Sequence, residues 1–249
     1  MSPRRSNAER TETTRAQLID TARQLFGDRG YSATTIAEIA RSAGLTTGAL
    51  YHHWPGKEAL LVDVVHDIHR ELAVRIRSGG SVGAVEDGEA ERAAEGSGAG
   101  RVAEGRRADR ATEGGGAERA VEGSGKGRVT EGAPVPLLLR SGLEFLGFCA
   151  DPAVARVLLL DAPAVLGYER WRRIDEQWWL SPTVRLVERA RLARGCPGAA
   201  DAGADGSRRL ALALLGALTS LGHEVAMQGA SAVAGAGRTY EVLLKSLFC

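Results

Sequence analysis

Cysteine is scarce: Cys149, Cys196 and Cys249 are the three in a chain of 249 residues. An odd number without CxxC or metal-ligand spacing excludes a disulfide framework and fits a reducing compartment. Aromatic residues make up only 5% of the chain, and β-branched runs are short, which favours helix over sheet. Neither sign of charge dominates. The 32 Lys and Arg are matched by 31 Asp and Glu, so a nucleic-acid surface, if present, has to be local. The N-terminal MSPRRSNAERTETTR lacks the apolar stretch of a signal peptide. The apolar runs at 157–160 and 210–218 are too short or too interrupted to span a bilayer. These absences lead to the expectation of an all-α, cytoplasmic protein without a membrane partner.

The first 57 residues lean basic. Arg4, Arg5, Arg10, Arg15, Arg23, Arg29, Arg41 and Lys57 face Glu9, Glu12, Asp20, Asp28 and Glu38, and His52 and His53 lie in the same stretch. Apolar residues at Leu18, Ala22, Leu25 and Phe26 define one helix face, closed by Gly27 and Gly30. Thr35 and Glu38 form a Thr-x-x-Glu capping box for a second helix that buries Ile36, Ile39, Ala40 and Ala43. Gly44 supplies a turn, Thr46 caps a third helix, and Pro55-Gly56 ends it. Lys57-Glu58 opens a longer helix with the stripe Leu61, Val65, Ile68, Leu72 and Ile76. Short helices separated by a tight glycine turn read as a helix-turn-helix head.

From about 79 to 133 the sequence changes in kind, with no aromatic residue, Leu or Ile. AERAAEGSGAGRVAEG (90–105) returns as AERAVEGSGKGRVTEG (117–132), a tandem duplication. With so little to bury, a disordered low-complexity insert is expected, rather than a solenoid. Helical patterning resumes after Pro136: 137–149, 152–160 and 164–179, then 183–194 capped by Ser181 with Pro182 at its first position, 208–228 and 238–247. The expected organisation is a flexible basic arm over 1–10, a helix-turn-helix domain over 11–57, a connecting helix over 58–78, the insert over 79–133, and a second helical domain over 134–249.

Thr35 to Leu61 reads TIAEIARSAGLTTGALYHHWPGKEALL. With Thr34 before it, this closely resembles the TetR-family DNA-binding signature in both residue types and spacing, at Ile39-Ala40, Ala43-Gly44, Leu50-Tyr51, His53-Trp54, Lys57-Glu58 and Leu60. LLLDAPAVLGYERWRRIDEQ (158–177) is similar to a body segment of actinobacterial-type relatives. Independently of the family, a cap at Thr46 puts Thr47 and Gly48 in the first turn of the third helix, the turn that meets base edges in a helix-turn-helix. Gly48 permits close backbone approach. Tyr51 lies within reach of a phosphate, Lys57 adds a charged contact at a helix start, and Thr35 offers a hydroxyl and an N–H. The resemblance implies the same roles for Thr35, Thr47, Tyr51, His53 and Lys57. The candidate DNA-binding set is therefore Thr35, Thr46, Thr47, Gly48, Tyr51, His52, His53 and Lys57, and the expected partner is double-stranded DNA with a palindromic operator.

In the family, effectors bind in the body, and the final two helices pair in a homodimer. Small residues at Gly216, Ala217, Ser220 and Gly222 suit close helix approach. Phe145, Phe148, Tyr168, Trp171 and Trp178 are the candidate lining of a site for a hydrophobic or aromatic effector, set against the alternative that they are simply core. Asp63, His66 and His69, spaced three apart with Asp67 nearby, raise a metal-sensor alternative, while polar residues on an exposed helix face explain the same pattern, and no metal or cofactor is assigned. No paired nucleophile and base is evident, so no enzymatic role is expected. A ligand-released repressor is the leading reading. A constitutive DNA-binding regulator without an effector is the alternative.

Overall fold

The computed structural model describes residues 7–78, 133–194 and 203–248. The insert and its repeat lie outside these residues, as do Cys196 and Cys249 and the first six residues of the expected arm. Every regular element among the described residues is a helix. The head comprises α1 (Asn7–Arg29), α2 (Ile36–Ser42) and α3 (Thr47–His53), and α4 (Lys57–Ser78) leads out of it. The body begins with α5 (Pro134–Phe148) and α6 (Pro152–Ala155). A π-helical segment (Arg156–Asp161) follows, running on into α7 (Ala162–Leu166). It is completed by α8 (Tyr168–Arg194), α9 (Gly203–Gln228), a 3₁₀ turn (Ala230–Ala232) and α10 (Val233–Phe248).

Local chemistry accounts for the head. Thr35 Oγ1 accepts from the Glu38 N–H at 3.2 Å, and the Glu38 carboxylate accepts from the Thr35 N–H at 2.8 Å, completing the capping box. Gly44, at φ +68°, makes the turn into α3, whose cap Thr46 accepts from Ala49 N–H at 3.2 Å. The α1 helix begins at Asn7 rather than Thr11, so the expected arm over 1–10 is partly helical. Gly27 does not close α1. It is buried inside the helix, where an added Cβ would stand 2.6 Å from the Cβ of Ala153 on α6.

The body departs from its sequence pattern in three places. Pro182 does not start a new helix; α8 runs through it, held by Ile174 on one side and by Val187 and Ala190 on the other, all buried. The break expected before 164 falls instead at Gly167, with φ +77°. The glycine-rich 229–237 is not all loop, since α10 restarts at Val233 with Gly237 lying so close to Leu143 that a Cβ would meet it at 2.7 Å. Close packing thus holds a turn that propensity alone would fray. Asp205–Gln228, which contains the 210–218 run, is long and apolar enough to cross a membrane by length and composition alone.

Two apolar clusters organise these helices. The larger joins Leu18, Phe26, Ile39, Leu50 and Trp54 of the head to Ile68 and Leu72 of α4 and to Leu146, Leu158 and Trp171 of the body. The smaller joins Leu138, Val187, Leu214, Tyr240 and Phe248 at the far end of the body. The core of the head is continuous with that of the body.

Gly27→Ala tests this contact. The new methyl pushes α1 off α6, and the expected loss is about 1–3 kcal/mol, against a helix-propensity gain of at most about 1 kcal/mol. Urea unfolding measures the balance, and a stabilised variant would show that the two helices can part freely.

Candidate nucleic-acid interface

The α3 helix turns Leu50 wholly inward and leaves Thr47, Gly48, Tyr51 and His52 exposed, Tyr51 at 54%. A Cβ on Gly48 would meet only Thr46 Oγ1, at 3.8 Å, so its backbone is open to an approaching surface. His53 is half-buried, its ring 5.4 Å from that of Trp54. Burial, then the neighbouring His52 and Arg15, lower its pKa, which disfavours a charged contact. Two other expected contacts are engaged within the head. The hydroxyl and the N–H of Thr35 both bond to Glu38. Lys57 Nζ donates to the carbonyls of Tyr31 and Thr34, at 2.7 Å each, and lies 4.0 Å from the centre of the Tyr31 ring. Desolvation lowers its pKa, while Asp161 and Glu38 oppose the shift.

The α1–α2 turn held by Lys57 is also gripped from the body. Tyr31 N–H donates to Asp161 at 2.8 Å, and Arg156 donates to the Asp28 carbonyl at 3.0 Å. Both body residues belong to the π-helical segment, a form of helix frequent at functional sites. Arg170 on α8 pairs with Glu58 on α4 at 2.5 Å. On the opposite side α1 and α4 are tied by charge. Asp63 accepts from Arg15 at 2.7 Å and from the Trp54 indole at 2.5 Å, and Arg23 bridges Asp67 and Glu71.

These contacts dissolve the metal-sensor alternative. Asp63 and Asp67 bond to α1, whereas His66 and His69 bond to Trp178 and Trp179 of α8. Among the described residues no group of His, Cys, Asp and Glu suits a metal ion. The aromatic set is not gathered into one wall either. Phe148 is buried under Arg75, and Trp171 is buried with its indole N–H on the Leu158 carbonyl. Tyr168 is 67% exposed. Phe145 packs against Gly222, which faces inward rather than toward a partner. Trp178 alone of the five bonds to the polar groups of α4.

Two family descriptions match the chain. "Bacterial regulatory proteins, tetR family" covers residues 18–64, and "Tetracyclin repressor-like, C-terminal domain" covers residues 136–247. The chain belongs to the TetR family. The chain is 43% identical over 72 residues to the HTH-type transcriptional regulator TtgR of Pseudomonas putida, covering 28% of this chain and 34% of that one. It is 45% identical over 53 residues to the HTH-type transcriptional repressor KstR2 of Mycolicibacterium smegmatis, covering 21% and 26%. The chain thus spans about a third or less of the length of these relatives. Over 98% of both chains, a TetR-family regulator structure from Pectobacterium atrosepticum superposes with a TM-score of 0.58 at 25% identity. The fatty acid degradation regulator FadR from Bacillus halodurans superposes with a TM-score of 0.59 at 14% identity, over 97% of this chain and 96% of that one, a likeness of fold alone.

The TetR-type signature located the outward turn of α3 but not the bonds that hold it. Asp161, Arg156 and the His–Trp pairs escaped sequence reading because their partners lie far away in the chain; a conspicuous Asp161 in an apolar stretch was their one signal. Lys57→Ala leaves the Thr34 carbonyl without its side-chain donor and the Tyr31 carbonyl with the Thr34 N–H alone, and the expected loss is about 1–3 kcal/mol in urea unfolding. An unchanged midpoint would free Lys57 from this structural role.

Proposed function

We propose that this protein is a cytoplasmic, homodimeric DNA-binding transcriptional regulator, acting as a repressor that a small apolar or aromatic effector releases from a two-fold symmetric operator. The observation that carries this reading is the exposed first turn of α3, with Thr47, Gly48, Tyr51 and His52 outward on a head of TetR type. Thr47 and Gly48 offer little hydrogen bonding, so base readout relies on methyl contact and DNA shape. Tyr51 and His52 reach the phosphates. Thr35, Thr46 and Lys57 act by holding α2, α3 and the turn between α1 and α2 in place, and His53 supports Trp54. The names of relatives such as KstR2 support repression. No catalytic role is proposed.

The dimer reading rests on α9 and α10. Only 22% of the apolar window of α9 is buried within the chain. Its outward side carries exposed Ala213 and Ser220, Met227 at 85% exposure, and Gly216, beside which a Cβ would meet nothing within 4 Å. On α10 Val242 is 63% exposed. An apolar helix face left in water is a normal site of association, and a two-fold pairing there presents two α3 helices to successive major grooves.

Selection from a randomised duplex library tests the reading. The wild-type protein should enrich a two-fold symmetric site. Tyr51→Phe should weaken binding about three- to tenfold on selected and scrambled duplexes alike, because a phosphate contact carries no sequence information. Gly216→Arg should be monomeric by light scattering and lose the selected site. Failure to enrich any sequence, or a Gly216→Arg dimer that still binds, would overturn the corresponding part.

A further inference from the structure

Where α4 meets α8, one buried donor has no partner among the described residues. His66 and His69, one turn apart on α4, each accept an indole N–H from α8. Trp178 Nε1 donates to His66 Nδ1 at 2.9 Å, and Trp179 Nε1 to His69 Nδ1 at 3.0 Å. An imidazole nitrogen that accepts carries no proton, so in the neutral ring the proton resides on Nε2. His69 is 1% exposed, and among the described residues its Nε2 has no hydrogen-bond partner. Its neighbours on α4, Ile68, Leu72 and Ala73, are buried and bring no side-chain acceptor. Buried N–H groups in folded proteins are nearly always paired, and one left bare invites a bound acceptor.

We propose that the effector site in the body is anchored on His69 and takes a flat, apolar molecule bearing a neutral carbonyl oxygen (a ketone, ester or lactone) that accepts the Nε2–H. The proposal rests on the effector reading above and deepens it. The aromatic rings packed on His69 favour a flat ligand. The Trp178 ring lies 6.0 Å from the His69 ring at an inclination of 23°, and the Trp179 ring lies 6.0 Å away, edge-on at 60°. Neutrality follows from the tautomer. A buried carboxylate carries a desolvation cost that a carbonyl oxygen escapes, and the imidazolium that would offset it would set a second proton, on Nδ1, against the Trp179 N–H, donor against donor. Burial, reinforced by His66, already drives the His69 pKa down to about 3. Pro182 has no N–H to offer the carbonyl of Trp178, so α8 lacks one backbone rung at the level of the indoles. The anchor also sits on the helix that begins with Lys57, so a ligand wedged between α4 and α8 acts directly on the element that holds the α1–α2 turn.

2-Acetylnaphthalene and 2-ethylnaphthalene share a shape and differ by one oxygen. Titrated into the full-length protein with indole fluorescence as readout, the ketone should bind about tenfold more tightly than the hydrocarbon. In H69F the preference should vanish while 2-ethylnaphthalene still binds. Long-range nitrogen–proton NMR of the wild type needs no variant. It should show His69 as the Nε2–H tautomer, with that proton moving downfield on addition of the ketone and staying put with the hydrocarbon. Equal affinities, binding of neither compound, a preference that survives in H69F, or the Nδ1–H tautomer would overturn the proposal. Duplex binding by the ligand-free protein, measured in parallel, separates the two readings. Its absence defeats the regulator assignment, whereas intact duplex binding without a ketone preference defeats only this proposal.

Discussion

Through its first half α4 is packed on several sides. Leu60, Leu61, Val64, Val65 and Ile68 have no exposed surface, and Leu72 has 1%. Burying a side chain of this size contributes roughly 1.5–3 kcal/mol, and these residues are shared between the head on one side and α5, α7 and the π-helical segment on the other. A head with its own core could swing on a hinge. This one lies in the same cluster as Leu146 and Leu158, and any tilt of α3 has to repack that cluster. Close-packed interiors respond to such demands by switching between discrete arrangements rather than by bending smoothly.

The polar contacts act on that constraint at its edges. The α1–α2 turn is held by Lys57 from the start of α4 and by Asp161 and Arg156 from the body. The turn leads directly into the capping box of α2. A body ligand that favours one packing of α4 against α8 therefore has two routes to α3, along α4 and through the π-helical segment. The size of its effect is bounded by the difference in its affinity for the two arrangements.

The head was legible because its signals are local. Thr35, Glu38, Gly44 and Thr46 act on neighbours within four residues, and the structure uses them as the pattern implies. The roles of Thr35 and Lys57 were harder, because a sequence shows that a donor exists but not what already accepts from it. Trp178 is a candidate effector wall and His66 a candidate metal ligand from their own positions, but the bond that joins them spans 112 residues and has no local signature. Pro182 read as a helix start because its cap chemistry is local, and buried neighbours at Ile174, Val187 and Ala190 overrode it.

The central claim is that head and body are one cooperative unit built on α4. Native-state hydrogen exchange addresses it most directly, since amides that open only together share one opening free energy. The account predicts that the N–H groups of Phe26 and Leu50 in the head exchange with the same free energy and the same denaturant dependence as those of Leu146 and Leu158 in the body. A head set that opens at markedly lower free energy, with its own smaller denaturant slope, would contradict it.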